Sequence, residues 1–259
     1  MALTGLAERL LDTVYPPSCL SCGAAVMSAH ALCAACWGDL PPITGPTCVR
    51  CGAPVPGAQS GPASQPCPDL HCESCHRHPP GWDRGAAALL YEGVARRLVM
   101  SLKHADRLDI AIPLAAWMAR TGAALLEPPA TLVPVPLHWT RMAKRRFNQS
   151  AELARHLAAI TGAPVEAGWL ARRRATGTQE GRDRATRHSA LEGAFVARGV
   201  PAGAQILLID DVMTTGATLS ACAAALRAAG AGGVDVLVAA RVARDGATPG
   251  DVASWHATD

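Results

Sequence analysis

Lysine is almost missing from this chain. Of 24 basic residues only Lys103 and Lys144 are lysine, so arginine carries the positive charge, and the formal net charge is only +3. A balance this mild argues against a protein held to nucleic acid by bulk charge, and leaves anion recognition to local arginine clusters. Aromatic residues are also scarce, at 4%, which offers little for stacking along a nucleic acid strand. No apolar run approaches the roughly 20 residues needed to cross a bilayer. Residues 1–15 carry Glu8, Arg9 and Asp12 where a secretory leader needs an uninterrupted apolar core. The expectation is a cytoplasmic protein with no membrane insertion.

Cysteine, by contrast, is abundant and unevenly placed: nine of the ten cysteines precede residue 76. In a reducing compartment such density points to metal rather than disulfides. Cys19 and Cys22 form one Cys-x-x-Cys knuckle and Cys33 and Cys36 a second. Cys48 and Cys51 are matched by Cys72 and Cys75 across a Pro/Gly/Ser-rich insertion, residues 53–70. Two knuckles bring four thiolates to the corners of a tetrahedron, the geometry of a closed structural Zn²⁺ site with no free coordination position. Sequential pairing is expected, although spacing alone also admits crossed pairing of Cys19/Cys22 with Cys48/Cys51. Cys67 reads as a bystander and Cys222 as a small core residue. Ahead of the knuckles, Leu3, Leu6, Leu10 and Val14 have helical spacing, and Pro16 and Pro17 stop that helix.

The 49% apolar content of 259 residues supports one mid-sized domain beyond the cysteine-rich one. After the Pro79–Gly81 linker, residues 86–91 read as a strand and 94–103 as an amphipathic helix ending at Lys103. Lys103 is either a solvated helix end or a contact to substrate phosphate. Residues 110–126 read as an Ala-rich helix and 132–136 as a core strand. A basic loop with Arg141, Lys144, Arg145 and Arg146 follows, then a helix over about 151–161. Four cations on one connection read either as a merely solvated cluster or as a diphosphate clamp, since guanidinium forks match phosphate oxygens. Residues 165–170 read as a strand. Beyond it, Arg172, Arg173, Arg174, Gln179, Arg182, Arg184 and Arg187 form a basic stretch that reads as either a solvated loop or a lid.

The most informative stretch is Ile206–Leu219, ILLIDDVMTTGATL. Ile206–Ile209 has the continuous apolar character of a buried parallel strand. Asp210 and Asp211 are expected just past its end, where ligands sit in open α/β sheets. Two adjacent carboxylates can accept from neighbouring sugar hydroxyls. Thr214, Thr215, Gly216, Ala217 and Thr218 are small or hydroxylated and lead into a helix over 219–229, so hydroxyls and N-terminal amides can surround a phosphate. Residues 234–240 read as the next parallel strand, joined through a right-handed connection.

These residues closely resemble the phosphoribosyl-diphosphate (PRPP) signature of type I phosphoribosyltransferases. With VPVPLH, the basic loop, RRFNQSAEL and the cysteine-rich start, the chain resembles the ComF family of competence-associated proteins. That resemblance implies an α/β fold, with a small double zinc-ribbon domain (residues 1–80) preceding a parallel-sheet, phosphoribosyltransferase-like domain (81–245) and a tail (246–259). It implies that Asp210 and Asp211 bind the ribose hydroxyls and are catalytic. Asp210, Asp211, Val212, Met213, Thr214, Thr215, Gly216, Ala217, Thr218, Arg141, Arg145 and Lys103 are the residues expected to bind PRPP. Structural Zn²⁺ on the eight knuckle cysteines and Mg²⁺ accompanying PRPP are the cofactors implied. The reaction would be phosphoribosyl transfer to an acceptor the sequence leaves open; the rival reading is a non-catalytic adaptor that senses PRPP or binds single-stranded DNA or DNA-uptake proteins.

Overall fold

The computed structural model describes residues 16–58, 70–104, 107–127, 130–137, 147–173, 191 and 193–243. The helix expected over residues 3–14, the loop carrying Arg141, Lys144, Arg145 and Arg146, Cys67, the basic stretch beyond Arg173 and the tail lie outside those residues.

The N-terminal segment builds one design twice. In each half a Cys-x-x-Cys-Gly hairpin is closed by paired backbone bonds, Cys19 N to Ala24 O (2.7 Å) and Gly23 N to Cys19 O (2.9 Å) in the first, Cys48 N to Ala53 O (2.7 Å) and Gly52 N to Cys48 O (2.8 Å) in the second. Gly23 and Gly52 take φ of 78° and 65°, a left-handed turn that glycine adopts at no steric cost. The answering cysteines sit on short helices, α1 (Ala34–Gly38) with Cys33 at its N-cap and α2 (Glu73–Arg77) with Cys72 at its N-cap.

The larger part begins with β1 (Gly85–Leu90) and α3 (Gly93–His104). A 3-10 turn (Leu108–Ile110) leads into α4 (Ala111–Thr121) and α5 (Ala123–Leu126). Then come β2 (Thr131–Pro134), α6 (Gln149–Thr161), β3 (Leu170–Arg172) and β4 (Phe195–Ala197). The last elements are β5 (Gln205–Met213), α7 (Ala217–Ala228) and β6 (Gly233–Arg241). Four strands form one sheet in the order β1-β6-β5-β2, every neighbouring pair parallel.

Both faces of this sheet are covered, which is why its strands read as unbroken apolar runs. Leu207, Ile209, Leu132 and Leu237 pack with α3, α4 and α6, while Ile206, Leu208, Val133 and Val236 pack with α7 and the β3/β4 ribbon. Alternate residues along β5 therefore go to opposite cores, as the pleat requires.

The structure corrects four sequence expectations. β5 does not stop at Ile209 but runs to Met213, so both aspartates lie within the strand, with Asp210 abreast of Val238. The strand expected at 165–170 is reduced to a single bridge, Val165 to Leu132; Leu170–Arg172 instead pairs antiparallel with β4. The helix expected over 110–126 breaks at Gly122, where a Cβ would lie 2.6 Å from Leu237 Cδ2, so the chain yields where helix meets sheet. The helix expected from Ala151 begins two residues earlier, because Asn148 caps it by accepting from Ser150 N (3.1 Å).

Candidate functional site

The site forms where β5 hands over to α7. Gly216 is the N-cap of α7 with φ of 78°, so the chain reverses within one residue and aims the first-turn amides of the helix back toward the strand end. Those amides have no intrahelical acceptors. One of them, on Ala217, is met by Thr215 Oγ1 (3.4 Å). A small pocket of about 40 Å³ opens here, lined by Asp210, the loop from Thr214 to Thr218, and Leu191. Val212 and Met213 also line it, while their side chains pack into the two core faces.

The two acids are held quite differently, as adjacent residues of a strand should be. Asp211 is 8% exposed and its Oδ2 is 3.0 Å from Lys103 Nζ at the end of α3. The ammonium is held above its ordinary pKa: burial opposes the charge, and Asp211 more than offsets that. Lys103 is thus not a solvated helix end, since its ammonium is held by a carboxylate. Among the described residues Asp210 forms no ion pair. Its Oδ1 accepts from Ser150 Oγ (2.9 Å) and from the Asp211 amide (2.9 Å). Burial pushes the Asp210 carboxyl up to about 7, and the adjacent Asp211 charge pushes in the same direction.

α6 serves the site through its first turn. Asn148 Nδ2 donates to Val135 O (3.0 Å), which pins the turn to the end of β2, and Ser150 then reaches Asp210. Sequence reasoning placed Asn148 and Gln149 just ahead of a helix but gave Ser150 no role; the serine directly after that pair was the available signal. It also missed Trp82, whose indole lies against Gly216. Of the basic stretch beyond β3, Arg172 is described: it belongs to that strand and lies over the Phe195 ring, 5.4 Å from its centroid.

The knuckles pair sequentially. The sulfurs of Cys19, Cys22, Cys33 and Cys36 lie within 4.8 Å of one another, and so do those of Cys48, Cys51, Cys72 and Cys75. All-sulfur tetrads of this size fit structural Zn²⁺. In the second tetrad Cys51 Sγ lies 3.6 Å from Cys72 Sγ and 2.9 Å from Arg241 Nη1; its neighbouring cysteines, and then the guanidinium, hold its thiol below the ordinary range. Among the described residues no helix is long and apolar enough to cross a membrane.

A family-model match agrees with the two cysteine tetrads. Residues 10–76 match the model of a double zinc ribbon domain. DNA utilization protein YhgH of Salmonella typhimurium is 35% identical over 65% of this chain and 77% of its own length, and that of Escherichia coli 32% over 64% and 76%. Competence protein F of Haemophilus influenzae is 28% identical over 66% of this chain and 78% of its own. A solved structure of the allosteric regulatory enzyme of purine biosynthesis aligns with 54% of this chain and 30% of its own at 21% identity and a TM-score of 0.36. With paired cysteine tetrads ahead of a parallel sheet and this extent of shared sequence, the chain belongs to the ComF family, that of DNA utilization protein YhgH and Competence protein F.

Proposed function

We propose that this protein binds PRPP in the pocket behind β5 and transfers its phosphoribosyl group to a nitrogen nucleophile, with release of diphosphate. The observation that carries this reading is the placement of the Asp210 carboxylate, held by Ser150 and without an ion-pair partner among the described residues, beside a hydroxyl-lined loop capped by left-handed Gly216. The first turn of α7 and the Thr214, Thr215 and Thr218 hydroxyls would take the 5′-phosphate. Asp210 and Asp211 would accept from the ribose hydroxyls and, as the bond from C1 to diphosphate breaks, stabilise the positive charge that grows on the ring. Ser150 keeps Asp210 turned toward the pocket.

Mg²⁺ fits this site only in company with the ligand. Asp211 already has Lys103 as counter-ion, and Asp210 alone offers too few oxygens for a protein cage. When bound, the ion would neutralise the departing diphosphate, with the ligand's own oxygens and Asp210 as its neighbours.

The test is Asp211→Asn. Losing one such electrostatic contact costs about 3–4 kcal/mol in the barrier, so diphosphate release from PRPP should fall by about 10²–10³-fold. Unchanged turnover rejects the transferase reading.

One observation favours a second reading, in which the protein is a single-stranded DNA adaptor, in keeping with relatives named for DNA utilization and competence. Trp37 is 57% exposed and its ring centroid is 6.0 Å from that of Trp117, giving a two-indole surface suited to base stacking. Affinity for single strands that Trp37→Ala abolishes, without PRPP turnover, would select this alternative.

A further inference from the structure

The two cysteine tetrads serve opposite faces of the sheet. Cys19 and Cys36 bury in the core shared with α3 and α4, whereas Cys48, Cys51 and Cys75 bury in the core that contains Trp82, Met213 and Ala217. Only the second tetrad shares a core with the loop behind the aspartates.

Two separate contacts lead from that tetrad to the loop. Arg50 lies between Cys48 and Cys51, and its carbonyl accepts from Trp82 Nε1 at 2.5 Å. Trp82, 3% exposed, lays its indole over Gly216, where a Cβ would come within 2.6 Å of Cη2. On the other side, Arg241 Nη1 donates to Cys51 O (2.6 Å) and lies 2.9 Å from Cys51 Sγ. Arg241 also stands abreast of Met213, the residue just before Thr214. The loop is thus braced at its entrance and at its cap from one knuckle.

Arg241 further supports a metal in this tetrad. It is 1% exposed, and among the described residues it has no carboxylate partner, while its Nε and Nη2 have no hydrogen-bond acceptor. A buried guanidinium needs an anion nearby. Four thiolates around a divalent ion leave two negative charges in excess, and Cys51 is the one sulfur Arg241 touches.

We propose that the Cys48/Cys51/Cys72/Cys75 centre, and not the other, sets the shape of the Thr214–Thr218 loop, with Trp82 and Arg241 as positioning residues. When this centre loses its metal, the Arg50 carbonyl is no longer fixed, Trp82 loses its acceptor, and Gly216 loses the surface it lies against. The effect runs both ways, because coupling between sites is reciprocal. The proposal rests on the phosphate-loop reading only for the identity of the loop's ligand.

The experiment uses the full zinc-loaded chain and follows metal release to a chromophoric chelator, with alkylation and mass spectrometry identifying which cysteines become free. Gly216→Ala, which drives a methyl into Trp82, should speed release from Cys48–Cys75 about tenfold, a typical coupling between linked sites, and leave Cys19–Cys36 unmoved. Trp82→Phe keeps a ring over Gly216 but removes the N–H; amide exchange across residues 214–220 should rise several-fold with both metals retained. Equal acceleration at both tetrads, or no change in release together with unchanged exchange, overturns the proposal. Failure of the parent protein to bind PRPP would remove the transferase reading, and the release and exchange data would still decide this one.

Discussion

Replacing Lys103 with methionine should show how much of the site's stability rests on one ion pair. The pair spans 3.0 Å between side chains only 19% and 11% exposed, so neither charge has ready access to water. Charges about 4 Å apart attract by about 4 kcal/mol at an effective dielectric near 20. Leaving one member of a buried pair behind costs about 3–5 kcal/mol, because its desolvation is no longer offset. Residual solvent contact puts Lys103→Met at the lower end, about 3 kcal/mol at pH 8. In urea titrations that moves the midpoint down by about 1 M for a slope near 3 kcal/mol per M. Asp211→Asn removes the stranded charge, so the double variant should recover to within about 1 kcal/mol of the parent, a coupling well above the scatter of independent sites. The same loss takes a nearby positive charge away from Asp210, so the pH at which Asp210 ionises should climb further. A Lys103→Met protein within about 0.5 kcal/mol of the parent, or a double variant whose costs simply add, would refute this account of the site.

Asp210 should make stability and ligand binding respond to pH in opposite directions. Its folded-state pKa of about 7 lies above the ordinary 3.8, so the folded protein binds the proton more tightly and loses stability as pH rises from about 4 toward 7. Asp210→Asn should therefore raise the urea midpoint at pH 8 and leave it unchanged near pH 4. The PRPP affinity proposed above, in which the Asp210 carboxylate accepts from ribose hydroxyls, should increase through pH 7 in the parent and stay flat in the variant, as calorimetry across that range would show. Metal analysis should find two zinc ions per chain, and chelation should unfold the cysteine-rich segment first, visible as early exchange at residues 19–51 and 70–75; folded protein with a metal content near zero would contradict the tetrads.

What was legible in the sequence was whatever depends on short spacing. Cys-x-x-Cys knuckles, the apolar run of Ile206–Ile209, the acid pair and the Thr/Gly loop all have partners or periods within a few residues, and the metal-binding segment, the parallel sheet and the loop before α7 followed from them. Boundaries were less legible: the expected end of β5 failed because Asp210 and Asp211 look like strand terminators, while the pairing with β6 carries the strand to Met213.

Long-range partners were decided only in the folded molecule. Which knuckles share a tetrad, that Lys103 stands on Asp211, that Ser150 holds Asp210, and that Trp82 and Arg241 tie one tetrad to the loop are contacts between residues from 11 to 190 positions apart on the chain. Sequence periodicity identifies the face a residue presents; it does not specify which distant group meets that face. That choice is made by strand order and by the pleat, which sends Asp210 and Asp211 to different neighbours and so gives two identical side chains different chemistry.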